Sequence, residues 1–219
     1  MKDHDIDACI RTLKREVRRW QEPIVGVVAK ASRRDPFQIL ISTILSLRTK
    51  DQTTAEASAR LFRLATTPEA MLAVARRTIE RTIYPVGFYR TKARHIHDIC
   101  RDLLTRYAGR VPDTLEELLT LKGVGRKTAN LVVTLGFRKP GICVDVHVHR
   151  ISNRWGYIRT KTPEESEQVL RRKLPHRYWM IYNDLLVPFG QNLCTPVSPR
   201  CSECRLARYC ERVGVVRSR

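Results

Sequence analysis

An all-α protein of roughly ten helices is the expectation for this 219-residue chain, and three features point to it. Apolar residues recur at helical spacing along most of the chain. Helix start signals recur between those runs. No window alternates with period two for long enough to make a strand. Ile6, Ile10, Leu13, Val17 and Trp20 stand four, three, four and three residues apart, on one helix face. Asp35-Pro36 supplies an N-cap followed by proline at the first helical position, where a missing N–H costs nothing. Residues 37–47 are then apolar on most sides, as suits a helix buried in a bundle. Asp51 and Thr67-Pro68 are further starts. Ala93, Ile96, Cys100, Leu103 and Tyr107 form a stripe that Gly109 stops. Asp113 is expected to cap a short helix over 115–121. Thr162 and Glu165 make a capping box with Pro163 at the first position.

The net charge is +19, from 41 basic and 22 acidic residues. Residues 1–109, 110–137 and 138–219 contribute +9, +1 and +9, so the excess runs through the folded parts and not through a disordered arm. Such an excess opposes compaction, and a polyanionic partner is its simplest reason. The chain is charged from Lys2 onward, which leaves no apolar leader. Its most apolar run, 39–47, holds Ser42, Thr43 and Ser46 and is less than half a membrane span. A soluble cytoplasmic protein without a membrane partner is expected. Its seven cysteines are then thiols or metal ligands in preference to disulfides.

Two segments break the helical rhythm. In residues 121–130, LKGVGRKTAN, Gly123-Val124-Gly125 turns the chain between two apolar helical pieces. Glycines here let the backbone approach a ligand and leave N–H groups at a helix start, an arrangement that binds phosphate. On the glycines alone, a tightly packed αα-hairpin is the simpler reading. A nucleotide P-loop is excluded: it needs Gly directly before Lys-Thr and another Gly five residues earlier. Here Arg126 intervenes and position 120 is Thr. The second segment holds Cys194, Cys201, Cys204 and Cys210 within seventeen residues, with Pro196 and Pro199 stiffening the loop. Four thiolates this close fit zinc or an iron–sulfur cluster. Only one close pair, Cys201/Cys204, is present, which favours the cluster without excluding zinc. Cys9, Cys100 and Cys143 stand in helical or apolar contexts and read as core thiols.

LKGVGRKTAN, followed sixteen residues beyond its second glycine by Gly141-Ile-Cys-Val-Asp145-Val-His147, resembles the helix-hairpin-helix and Val-Asp-x-His segments of the endonuclease III family of DNA glycosylases. The similarity runs from about Asp35 to Cys210. It implies two helical subdomains with a cleft between them: a six-helix domain over 29–139, with the hairpin at about 113–136, and a discontinuous domain of 1–28 plus 140–219 that carries a cluster loop at 194–210. Lys127 and Asp145 match the family's catalytic types and would face each other across the cleft. Lys127 is the implied nucleophile, whose deprotonation is eased by the helix start and by Arg126. Asp145 is the carboxylate that assists it and stabilises the sugar cation, and it also suits a helix N-cap. The resemblance implies a [4Fe–4S] cluster on the four cysteines, fastening a loop with Arg200, Arg205, Arg208 and Arg212 against DNA phosphates. Gly123, Val124, Gly125, Arg126 and Thr128 would hold a phosphate. His147, and with less support His149, would line the base pocket or contact DNA.

Chemistry on a base inside a duplex requires flipping the nucleotide and filling the gap. The resemblance puts the gap-filling loops at Arg48 and Phe88. Phe88 is a suitable apolar wedge. Arg48 stands where the family more often has Gln, and its donor-only fork suits guanine edges, so opposite-base preference does not carry over. The implied function is a monomeric, bifunctional glycosylase and AP lyase that removes oxidised pyrimidines from double-stranded DNA, nucleoid-associated in a prokaryote. One rival is a mono-functional mismatch glycosylase for thymine or uracil, which does not need Lys127. Another is a non-catalytic helix-hairpin-helix protein, which explains charge and glycines but leaves Lys127 with Asp145 as coincidence. An adenine-mismatch enzyme usually continues with a further domain, and nine residues follow Cys210.

Overall fold

The computed structural model describes residues 1–219 as twelve α-helices joined by turns and short 3-10 segments, with no β-strand. In chain order the helices begin with α1 (Ile6–Glu16), α2 (Ile24–Ala31), α3 (Pro36–Ser46) and α4 (Asp51–Leu64). They continue with α5 (Pro68–Ala73), α6 (Arg76–Ile83), α7 (Tyr89–Arg106) and α8 (Leu115–Leu118). The last four are α9 (Arg126–Leu131), α10 (Val146–Arg154), α11 (Pro163–Lys173) and α12 (Trp179–Asn192). The chain forms two compact units, Ile24–Gly141 and Met1–Pro23 with Ile142–Arg219. No helix is long and apolar enough to cross a membrane.

In the unit Ile24–Gly141, α3 is the central helix. Ile39, Leu40, Ile41, Ile44 and Leu45 are at most 1% exposed, and α2, α4, α7 and α9 pack around them. Asp35 opens α3, its carboxylate accepting from the N–H groups of Phe37 (2.8 Å) and Gln38 (3.0 Å). Thr67 caps α5 in the same way through Ala70 N–H. The unit starts at Ile24 instead of 29 because Val25 and Ala29 of α2 belong to its core. It holds eight helices where six were expected, since α5, α8 and α9 are separate pieces of only four to six residues. Thr114, not Asp113, caps α8 by accepting from Glu117 N–H, and Asp113 pairs instead with Lys139 at 2.8 Å. The helix begun by α9 does not run on to 136 as an α-helix: it widens into a π-helical segment over Val132–Gly136.

In the other unit the stripe Ile6, Ile10, Leu13 of α1 packs with Val148 and Ile151 of α10, Leu170 of α11 and Tyr182, Leu186 and Phe189 of α12. Asp7 fastens the exposed edge of α1, accepting from Arg177 (2.8 and 2.9 Å) and from the Tyr178 hydroxyl (2.8 Å). Thr162 opens α11 as expected, although the Glu165 carboxylate reaches the N–H of Lys161 and not that of Thr162.

Candidate active site

The two glycines of the hairpin turn serve different ends. Gly123 has φ +77°, and a Cβ there would stand 2.3 Å from His95 Nδ1, so conformation and space both demand glycine. Burial, and then the neighbouring Arg94, lower the pKa of His95, which keeps this ring uncharged where the chain passes it. Gly125 is the N-cap of α9 in extended backbone, and a Cβ there would meet nothing within 4 Å. Its backbone is therefore open to an approaching molecule. Between them Val124 turns inward and joins the core. Arg126 and Lys127, the first two residues of α9, are half-buried. Thr128 is 1% exposed, so the expected phosphate contact from its side chain is not on the surface of the turn, and only its backbone remains for that role.

Asp145 is the N-cap of α10. One carboxylate oxygen accepts from His147 N–H at 2.9 Å and from Val148 N–H at 3.0 Å, and the residue is 8% exposed. The cap fixes the first turn of α10 and with it His147. Arg150, one turn on, donates to His147 Nδ1 at 3.1 Å. A guanidinium cannot accept, so Nδ1 is the acceptor and the imidazole proton sits on Nε2. His149 faces elsewhere: its Nδ1 is 2.7 Å from the Ser166 hydroxyl, in a network with Asn153 and Thr160. It is a structural histidine that holds α10 to the start of α11.

The same helix carries the cysteine loop. Arg150 donates to the carbonyls of Gly190 (3.0 Å) and Cys194 (2.8 Å), and Arg154 to those of Thr195 (2.7 Å) and Pro196 (2.6 Å). Cys194, Cys201, Cys204 and Cys210 line one cavity together with apolar Trp155, Phe189 and Leu193. Arg154 reaches the Cys194 sulfur at 3.5 Å, and the N–H of Arg212 reaches the Cys210 sulfur at 3.4 Å. Burial raises the Cys204 thiol to about 11 and also raises Cys210, so thiolates here need a cation to hold them. Arg200, Arg205, Arg208 and Arg212 are all exposed around this loop. Cys9, Cys100 and Cys143 are buried, and burial pushes Cys9 and Cys100 up to about 12, as inert core thiols.

In the unit Ile24–Gly141, Arg48 and Phe88 are exposed tips. Both have left-handed backbone (φ 53° and 58°), and the Arg48 guanidinium stands 5.5 Å from the centre of the Phe88 ring. Phe88 is 62% exposed. Lys92 was not singled out by sequence reasoning. Its signal is that it lies four residues before Ile96, on the apolar face of α7.

A helix-hairpin-helix DNA-repair class is what this fold and site define, and the family comparison agrees. Residues 41–176 match the HhH-GPD superfamily of base excision DNA repair proteins. The chain is 50% identical over 177 residues to endonuclease III of Thermotoga maritima, covering 81% of this chain and 83% of that protein. It is 42% identical over 183 residues to the chloroplastic endonuclease III homolog 1 of Arabidopsis thaliana, of whose length it spans about half (48%). A solved structure of a trapped endonuclease III–DNA covalent intermediate is similar with a TM-score of 0.86 at 34% identity, over 97% of both chains. The chain belongs to the endonuclease III family within the HhH-GPD superfamily, and is a DNA glycosylase and AP lyase of base-excision repair.

The Asp145 cap makes a stability prediction that is separate from catalysis. Asp145→Ala should lower unfolding free energy by about 0.5–2 kcal/mol, whereas Asp145→Asn, an equally good cap, should stay within a few tenths. Urea unfolding curves of the three proteins check it, and equal losses in both variants would contradict the cap.

Proposed function

We propose that this glycosylase and lyase acts on double-stranded DNA carrying oxidised pyrimidines of the thymine glycol type, or abasic sites, with Lys127 as the nucleophile. The observation that carries the reading is Lys127 itself, an amine half-buried in the first turn of α9, directly behind the open backbone of Gly125. A mono-functional mismatch glycosylase has no use for an amine there, and a non-catalytic DNA binder leaves it unexplained. The substrate class rests on the likeness to endonuclease III. Lys127 belongs to the unit Ile24–Gly141, and Asp145 and the cysteine loop belong to the other unit.

The chemistry asks four things of these residues. Lys127 must lose a proton, which Asp145 takes up. The amine's electron pair then forms a bond to C1′ as the bond to the base nitrogen breaks, and the base leaves with that pair and is protonated. The ring oxygen next departs from C1′ and takes a proton, leaving an imine between the opened sugar and Lys127. Loss of a proton from C2′ sends electrons toward the imine while the C3′–O bond breaks and the 3′ phosphate leaves, and water hydrolyses the imine. Asp145 hands the proton it took to the departing base, and its restored carboxylate then stabilises the positive charge on the sugar. Asp145 keeps its place because the same group caps α10.

Binding follows from the surface. Backbone N–H groups at Gly123, Gly125 and Thr128, with the Arg126 side chain, hold a phosphate, while Val124, whose N–H donates to the Leu121 carbonyl at 3.1 Å, closes the turn that presents them. Arg48 and Phe88 fill the gap left by the flipped nucleotide, and His147 offers its Nε2 proton to DNA. Cys194, Cys201, Cys204 and Cys210 would hold a [4Fe–4S] cluster, which when bound cross-links the loop that presents Arg200, Arg205, Arg208 and Arg212. The cysteines line one cavity, and their single close pair, Cys201/Cys204, suits a polynuclear cluster better than zinc, which usually takes two close pairs. The protein acts as a monomer in the cytoplasm, at the nucleoid of a prokaryote.

Single-turnover excision from duplexes with thymine glycol, uracil mispaired with guanine, or an abasic site tests the substrate class. Thymine glycol should be excised and the abasic strand cut, uracil should be left, and Asp145→Asn should slow thymine glycol release by about a hundredfold or more while still binding. Preference for mispaired uracil without strand cutting would instead support the mono-functional reading. The purified protein should also contain iron and inorganic sulfide in equal amounts. Stoichiometric zinc in a colourless preparation would refute the cluster.

A further inference from the structure

Arg48 and Phe88 come from different segments, and one buried side chain joins their loops. Lys92, in the first turn of α7, is 5% exposed. Its ammonium donates to the carbonyl of Leu45 at 2.8 Å, to the carbonyl of Leu47, and to the Thr49 hydroxyl at 3.1 Å. Leu45 and Leu47 lie at the C-terminal end of α3, where the last carbonyls have no partner within the helix, so Lys92 caps α3 from a neighbouring helix. The Thr49 hydroxyl also accepts from Gly87 N–H at 3.1 Å. A Cβ at Gly87 would stand 2.6 Å from the Arg48 carbonyl oxygen, so the two loops touch through backbone. The N–H of Lys92 bonds the Phe88 carbonyl at 3.0 Å. Residues 45–49 and 86–92 are thus one hydrogen-bonded block with Arg48 and Phe88 at its tips.

None of the three acceptors of Lys92 is a carboxylate. An ammonium taken out of water without a counter-ion is costly, and burial lowers its pKa to about 8. Methionine would fill the same space without that cost. Lys92 is therefore an expensive way to pack a core and an effective way to tie three acceptors in one place. We propose that Lys92 is a positioning residue, which holds Arg48 and Phe88 as a preformed two-residue wedge so that the loops need no ordering while the duplex is opened. The inference rests on the reading that these two side chains occupy the gap left by the flipped nucleotide.

The test compares wild type, Lys92→Met, Thr49→Val and Phe88→Ala, each checked for helix content by circular dichroism. Single-turnover excision is measured on thymine glycol paired with adenine and on thymine glycol inside a three-base bubble, where no stacked pair has to be opened. Lys92→Met should lose ~10-fold or more on the paired duplex and stay within about twofold on the bubble, the scale expected when a contact residue is slightly misplaced. Thr49→Val should lose activity in the same selective way and decides the matter if Lys92→Met does not fold. Adding Lys92→Met to Phe88→Ala should cost clearly less than the product of the two single losses, since Lys92 then has only Arg48 left to hold. Equal loss on both substrates, or losses that multiply in the double variant, would overturn the inference. Wild type inactive on both substrates would remove the underlying reading and the inference with it. Wild-type activity with variants indifferent to pairing would remove the inference alone.

Discussion

The carboxylate of Asp145 at the start of α10 is the contact from which the functional parts of its unit are hung. The first N–H groups of a helix have no partner inside it, and Asp145 satisfies two of them. With the first turn fixed, His147 and Arg150 follow at set positions on successive turns, and Arg154 one turn later. Those two arginines hold four carbonyls at the end of α12 and in the loop that begins at Cys194. One helix thus connects the carboxylate, His147 and the thiol-lined cavity. A displacement of its first turn would be felt at all three, since packed helices move as bodies.

The other unit is governed by backbone that side chains cannot follow. Gly123 is forced by φ and by His95, Gly87 by the Arg48 carbonyl, and Arg48 and Phe88 accept left-handed backbone without being glycine. Such residues persist only where the surroundings over-determine them. Around Phe88 the determination comes from Lys92 and Thr49, and the result is an exposed aromatic ring beside an exposed guanidinium. The placement of Lys127 has the same character, since α9 starts where the glycine turn ends and the chain cannot shift by a residue without losing the Gly123 fit.

Much of this was legible in the sequence, and the exceptions have physical reasons. Asp35, Thr67, Thr162 and Asp145 act as caps because a short polar side chain before an apolar helix has one easy local use. Asp113 and Thr114 are both capping types side by side, and the choice fell to Thr114 because Lys139, distant in sequence, draws Asp113 away. The helices α5, α8 and α9 are too short to show a period, so periodicity alone counts fewer helices than the twelve present. Thr128 stands in the turn by position but is buried, since it lies two residues after Arg126 and so on the opposite face of the helix. His149 was hard to separate from His147, because only the distant Ser166 turns it aside. Four cysteines in one loop announced a common site, whereas the arginines that clamp the loop come from α10, forty residues earlier. Lys92 left a trace, a charge on an apolar face, but its partners are all on another helix and its loop.

In the proposed reaction the amine of Lys127 bonds to C1′ of the sugar. Borohydride reduction during turnover of thymine glycol duplex, followed by digestion and mass mapping of the adduct, tests it most directly, with Lys127→Ala alongside wild type. A reduced adduct on the peptide containing Lys127, absent in the variant, is the predicted result. An adduct of equal yield in Lys127→Ala, or one mapped to another residue, would contradict it.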